Sequence, residues 1–167
     1  MTGRAANSSR AQPLYTPDQR RRRDGTRWTL VQGLLAPVQF AIFIVSLVLV
    51  LRYLATGEGY GAATASIVAK TLALYAIMVT GSLWEHAVFG RYLFAPAFYW
   101  EDVVSMAVIA LHTAYLFTLV VPGVTPGTQM AVALAAYLLY VVNAAQYVVK
   151  LRRARLDVAS GLAGRPS

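Results

Sequence analysis

The chain has 167 residues, of which 57% are hydrophobic and only 13% charged, with a net charge of +8 and a mean hydropathy of +0.52. Soluble domains carry about a quarter charged residues, so this composition excludes an ordinary soluble fold and predicts a single membrane domain. Cysteine is absent, which removes disulfides, thiolate metal sites and thiol nucleophiles.

In chain order, residues 1–27 read as a polar, basic N-terminal tail. It lacks the short basic region and early apolar core of a cleaved signal peptide, so the first apolar run is expected to remain in the mature protein. Four apolar runs follow, at 28–54, 66–89, 103–121 and 130–149. Each approaches or exceeds the roughly 20 residues that cross a 30 Å hydrocarbon core as a helix. The runs are continuous rather than alternating, which argues against barrel strands. Pro37 is expected to kink the first span, ATGEGYGAATA at 55–65 reads as a glycine-rich loop, and Pro122, Gly123, Pro126 and Gly127 predict a tight turn. Short connections make two antiparallel hairpins. The expected fold is therefore all-α, a polytopic membrane four-helix bundle over 28–156, with a C-terminal tail at 157–167.

Charge placement orients the bundle. Thirteen basic residues, including Arg20 to Arg23, Arg91, Lys150 and Arg153, fall before the first span, after the last, or in the middle connection, against Arg52 and Lys70 on the other side. The positive-inside rule then puts both termini in the cytoplasm. Anionic lipid headgroups account for the basic surface, so membrane lipids rather than nucleic acid are the expected partners.

Ionisable and aromatic residues crowd into WEHAVFGRYLFAPAFYWED at 84–102, between two apolar runs. Ionisable groups at membrane depth are expensive unless paired, so they are functional candidates by default, although Trp and Tyr also form interfacial belts. Depth along each span brings Gln32 and Gln39, Glu85 and His86, Glu101 and Asp102, and Asn143 and Gln146 to one level near the basic end. The amides fit either a ligand site or interhelical hydrogen bonding. Glu101, Ser105, Val108 and His112 follow one helical stripe, which should face inward. His112, near mid-membrane, reads either as a hydrogen-bonded core histidine or as an axial ligand to the metal of a bound macrocycle. Glu85 and Glu101 flank a short hairpin. Two acids sharing a low-dielectric site cannot both ionise cheaply, which would retain a proton for general acid–base work; an acid pair capped by Arg91 is the plainer alternative. Metalloprotease, phosphate-loop, nucleophile-elbow and dinucleotide motifs are all missing.

Several long runs carry a specific resemblance. WTLVQGLLAPVQF (28–40), RYLATGEGY (52–60), TASIVAKT (64–71), YAIMVTGSLWEHAVFGRYLFAPAFYWEDVVSMAVIALHTAYL (75–116) and NAAQYVVKLR (143–152) resemble the 2-vinyl bacteriochlorophyllide hydratase family of bacteriochlorophyll biosynthesis. The resemblance extends from about residue 14 to 156. It implies a hydro-lyase that adds water to the C3 vinyl group of chlorophyllide a or a related chlorin, giving the 3-(1-hydroxyethyl) compound. No cofactor is implied, and magnesium enters only as part of the substrate. Such hydration needs a general acid for the terminal vinyl carbon and a base for the attacking water. Under this resemblance Glu85 and Glu101 take those roles, with Asp102 and His86 as second choices. Trp84, Phe98, Tyr99 and Trp100 would meet the ring edges, Arg91 the propionate, and His112, His86 or only water the magnesium. Gln32, Gln39, Ser105, Asn143 and Gln146 complete the expected substrate contacts.

The resemblance also implies the photosynthetic inner membrane, and leaves a homo-oligomer or association with other pigment-biosynthesis enzymes open. A non-enzymatic pigment-binding or scaffold subunit is the leading alternative. A small transporter is a weaker one, because no broken-helix pair is visible.

Overall fold

The computed structural model describes residues 14–163, with side chains described for 14–156; expectations for 1–13 and 164–167 fall outside these residues. Among the described residues five helices form: α1 (Pro17–Gly25), α2 (Arg27–Thr56), α3 (Tyr60–Phe89), α4 (Tyr99–Val120) and α5 (Pro126–Ala163). Four of them, α2 to α5, are long and apolar enough to cross a membrane. At 1.5 Å per residue the 30 residues of α2 or α3 extend about 45 Å, well beyond a hydrocarbon core.

The helices close into a ring. α2 packs extensively on α3 and α4 on α5, the two hairpins meet more sparingly through α3–α4 and α2–α5, and α1 lies against α3. Two ends follow: a basic end, holding α1, the 90–98 segment and the later turns of α5, and a far end with the 57–59 and 121–125 connections. Large apolar side chains such as Leu30, Val79, Phe117 and Leu138 point outward, as lipid-facing positions must.

One expectation is corrected, and both tails carry helix. The 55–65 stretch is mostly helix, because Gly57 (φ +74°) and Gly59 (φ +84°) take the left-handed conformation on either side of Glu58 and turn the chain within three residues. The polar N-terminal tail contains α1, started by a capping box in which Thr16 Oγ1 accepts the Gln19 N–H and Gln19 Oε1 accepts the Thr16 N–H, with Pro17 in the first turn. At the other terminus the helix does not stop at 156 but continues to Ala163. α2 runs unbroken across Pro37.

Polar contacts tie the hairpins together at mid-bundle. The Ser46 hydroxyl bonds to those of Ser66 (2.7 Å) and Tyr137, joining α2, α3 and α5. Below them Phe43 packs against Tyr137 and Tyr140, with ring centroids 5.3 and 4.9 Å apart. Lys70, counted from sequence with the outer-face cations, is fully buried instead, its Nζ 3.5 Å from the centroid of the Tyr140 ring. It lies ten residues into α3, so no loop can expose it.

Candidate active site

A cavity of about 1120 Å³ opens at the basic end and reaches into the bundle. Each long helix lends one face: Thr29, Gln32, Ala36 and Gln39 from α2; Leu74, Ile77, Gly81, Trp84 and Glu85 from α3; Asp102, Ser105 and Ile109 from α4; Tyr140, Asn143 and Tyr147 from α5. Those positions recur every three or four residues, the repeat that keeps a helix face turned one way. Ligand pockets for small molecules usually hold roughly 300–1,000 Å³, so this one suits a macrocycle.

Glu85 and Asp102, respectively 5% and 2% exposed, bring their carboxyl groups into contact on the cavity wall. The 90–98 segment completes the pair. Phe94 N–H donates to Asp102 Oδ2 at 2.8 Å, and Ala95 N–H to Glu85 Oε2 at 3.2 Å. Phe94 has φ +58°, the one positive value among described non-glycine residues. That conformation costs about 1 kcal/mol and persists only where its surroundings fix it. Here it aims two successive amides at two acids, as a backbone nest does.

Around the pair, the Tyr147 hydroxyl donates to Asp102 Oδ1 at 3.5 Å, and Asn143 Nδ2 donates to Ser105 Oγ at 2.9 Å. Gln39 Nε2 and Asn143 Oδ1 are buried and have no hydrogen-bond partner among the described residues. Buried polar atoms are rarely left unsatisfied, so these two are the groups free to address a ligand or water. Gln32 is a strap rather than a free amide, since its Nε2 donates to Thr80 Oγ1 at 2.7 Å.

The mouth is basic and aromatic. Trp84 Nε1–H donates to Thr29 Oγ1 (3.0 Å), whose own hydroxyl donates to the Arg23 carbonyl (2.6 Å), so α1 is fastened over the opening. Trp84 meets Phe98 edge-on at 5.6 Å, Tyr15 stacks on Phe89 at 5.9 Å, and Arg23 sits 4.9 Å from the Tyr15 ring. Arg20, Arg23 and Arg155 all line the rim.

The other sequence-derived candidates lie elsewhere. Glu101 does not face Glu85; it forms an ion pair with Lys150, which also donates to the Ala97 carbonyl. Glu101, Gln146, Lys150 and Arg153 share a separate groove of about 610 Å³ on the α4–α5 face. Adjacent positions on a helix diverge by about 100°, so Glu101 and Asp102 turn to different neighbours. His86 is exposed and stacked on Tyr92 at 4.2 Å, and Arg91 is exposed beside it. Tyr99 and Trp100 face outward, Trp100 being 68% exposed, the position of an interfacial belt. His112 is fully buried, its Nδ1 2.8 Å from the Val108 carbonyl oxygen, and does not line the cavity.

Sequence reasoning missed Tyr147, Tyr140 and the α1 arginines as cavity residues. Tyr147 is four positions beyond Asn143, on the same helix face, which was the available signal.

The position of Glu101 carries its own test. Glu101→Gln leaves the Lys150 amine without a counter-charge and is expected to destabilise the bundle by about 1–3 kcal/mol, the range for a hydrogen bond to a charged partner. Pairing it with Lys150→Met should recover most of that loss. Denaturant titration of the purified protein measures both; equal stability of wild type and Glu101→Gln would contradict a structural role.

Known proteins resemble the chain over most of its length. Residues 15–153 match the family model for 2-vinyl bacteriochlorophyllide hydratase. The chain is 68% identical over 145 residues to the 2-vinyl bacteriochlorophyllide hydratase of Cereibacter sphaeroides, covering 87% of this chain and 90% of that one. It is 64% identical over 151 residues to the protein of the same name from Rhodobacter capsulatus, covering 90% and 88%. No solved structure matches the chain. The chain belongs to the 2-vinyl bacteriochlorophyllide hydratase family and is a hydro-lyase.

Proposed function

We propose that the chain adds water across the C3 vinyl group of a chlorophyllide, chlorophyllide a or a close relative, and that Glu85 and Asp102 are its acid–base pair. The observation that carries the reading is the contact between these two carboxyl groups on the wall of a large, mainly apolar cavity. Asp102 here replaces Glu101, whose carboxylate is taken by Lys150.

The chemistry balances without a cofactor. Two carboxyl groups in contact hold one proton more cheaply than two charges. The protonated member gives that proton to the terminal vinyl carbon, forming a C–H bond while the π bond breaks. The adjacent carbon becomes cationic and shares its charge with the conjugated ring. Water attacks there, and the ionised member removes the surplus proton. Because the carboxyl groups touch, the proton returns within the pair and the enzyme is reset. Positioning and proton transfer are all that the protein supplies.

The remaining cavity residues fit the substrate in this reading. Ile77, Met78, Ile109 and Leu74 offer flat apolar walls, and Trp84 and Phe98 an aromatic edge. Arg20, Arg23 and Arg155 replace Arg91 as partners for the propionate, since they rim the cavity and Arg91 does not. The magnesium travels with the chlorin, and neither histidine is assigned to it. The decisive assay is incorporation of isotopically labelled oxygen from water into the hydroxyethyl product; a product without it ends the hydratase assignment for this chain.

The same reading puts both termini and α1 on the cytoplasmic side of the photosynthetic inner membrane. With Lys70 buried, Arg52 is the lone described cation toward the far end, and the charge bias grows. Reporter domains fused after Arg155 and inserted at Gly59 should report opposite compartments. Reports from one side would mean an odd number of crossings between them has been misjudged.

A further inference from the structure

Beyond the cavity, toward the far end, a second set of polar side chains runs up the bundle axis, and the acid–base mechanism uses none of it. Among the described residues two buried atoms there, His112 Nε2 and Lys70 Nζ, have no hydrogen-bond partner, and the buried Thr64 Oγ1 and Tyr115 Oη have at most each other. They are not scattered. Tyr115 faces Thr64 near the far end, the His112 ring lies 5.9 Å from that of Tyr137, Lys70 is the charged neighbour of His112, and Lys70 covers the ring of Tyr140, itself a cavity-lining residue. Two further orphans, Gln39 Nε2 and Asn143 Oδ1, continue the series inside the cavity.

Each orphaned buried group costs about 1–3 kcal/mol, and in hydrocarbon no lipid atom can relieve it. A fully buried lysine set over an aromatic ring, with no hydrogen-bond partner among the described residues, is dearer still. Such groups persist in folded bundles when ordered water joins them, typically with two to four bonds per molecule. The macrocycle, once seated, fills the wide basic mouth. The reacting water then needs another way in. We infer that the Thr64–Tyr115–His112–Lys70 series is a hydrated lane that delivers the reacting water from the far face of the membrane to the cavity, with the Lys70–Tyr140 contact at its inner end. The lane's role as a supply line rests on the proposed hydration; its hydration does not.

The cysteine-free sequence makes the test direct. Single Thr64→Cys and His112→Cys variants place thiols at two members of the lane, and Leu72→Cys, on the lipid-facing side of α3, is the control. In membrane vesicles exposing the far end, a small charged methanethiosulfonate should modify the lane thiols about tenfold or more faster than the control, because the reacting thiolate is costly in hydrocarbon. Lane thiols that react no faster than Leu72→Cys, or only with reagent from the basic end, overturn the proposal. A bulkier methanethiosulfonate then plugs Thr64→Cys after folding. Turnover should fall about tenfold or more with chlorin binding retained, whereas unchanged turnover overturns the lane as the supply route. If the unmodified variant incorporates no water oxygen at all, it is the hydratase assignment that fails, while the accessibility result still decides whether the lane is hydrated.

Discussion

Glu85→Gln and Asp102→Asn are each expected to lower turnover on a 3-vinyl chlorophyllide by about 10² to 10⁴, the usual contribution of a general acid or base, with pigment binding largely preserved. Both replacements keep size and hydrogen-bonding capacity but take away a transferable proton. Because the two carboxyl groups share that proton, the double variant should be little worse than either single one, as residues acting as a unit are strongly non-additive. Glu101→Gln provides the contrast. Once corrected for the amount of folded protein, its turnover should stay near wild type, since its carboxylate is held by Lys150 and lies in a different groove. The measurement is hydroxyethyl product formed in washed membranes per bound chlorin. Near-normal rates for both Glu85→Gln and Asp102→Asn would remove the pair from the mechanism; a large loss in Glu101→Gln alone would restore the assignment made from sequence.

Glu101 lies with Lys150 rather than beside Glu85, and sequence could not show this for a reason inherent in reading helices one at a time. Spacing puts Glu101, Ser105, Val108 and His112 on a common stripe, and all four are indeed buried. α4 has two packed neighbours, however, and burial alone does not say which of them a side chain addresses. Asp102, Ser105 and Ile109 turn to the cavity, while Glu101 turns to α5. Depth was more legible than azimuth: Gln39, Glu85 and Asn143 were matched by counting residues from the span ends, and all three line the cavity. α1 was overlooked because Arg20 to Arg23 read as a topology signal. Yet its start was written in Thr16, Pro17 and Gln19, a capping box with proline in the first turn. The strained Phe94 amide had no sequence signature, since a left-handed phenylalanine is visible only once the loop is closed around the acids.

Narrowing the seam between α2 and α5 is expected to have the second large effect, this time on substrate entry rather than on chemistry. These two helices meet sparingly, and the cavity reaches the surface between them past Gly33, Ala36 and Phe40 on one side and Ala144, Val148 and Leu151 on the other. Gly33 and Ala36 are exposed, and a Cβ added at Gly33 would meet no atom within 4 Å. Gly33→Phe or Ala36→Phe is therefore expected to leave the bundle folded while projecting an aromatic ring across the opening through which an apolar macrocycle dissolved in the bilayer would pass. Leu34→Phe, one position away and 68% exposed toward lipid, adds similar bulk outside the seam. The seam variants should raise KM, or lower the rate of chlorin uptake into washed membranes, by about tenfold or more, since one misplaced group in a hydrophobic pocket is worth about 1–3 kcal/mol. kcat at saturating chlorin should change much less, because Glu85, Asp102 and the 90–98 segment are untouched. If Leu34→Phe impairs uptake as much as Gly33→Phe, the seam has no special role, and entry must run through the basic mouth beneath α1, where Arg23 and Tyr15 would then become the residues to alter.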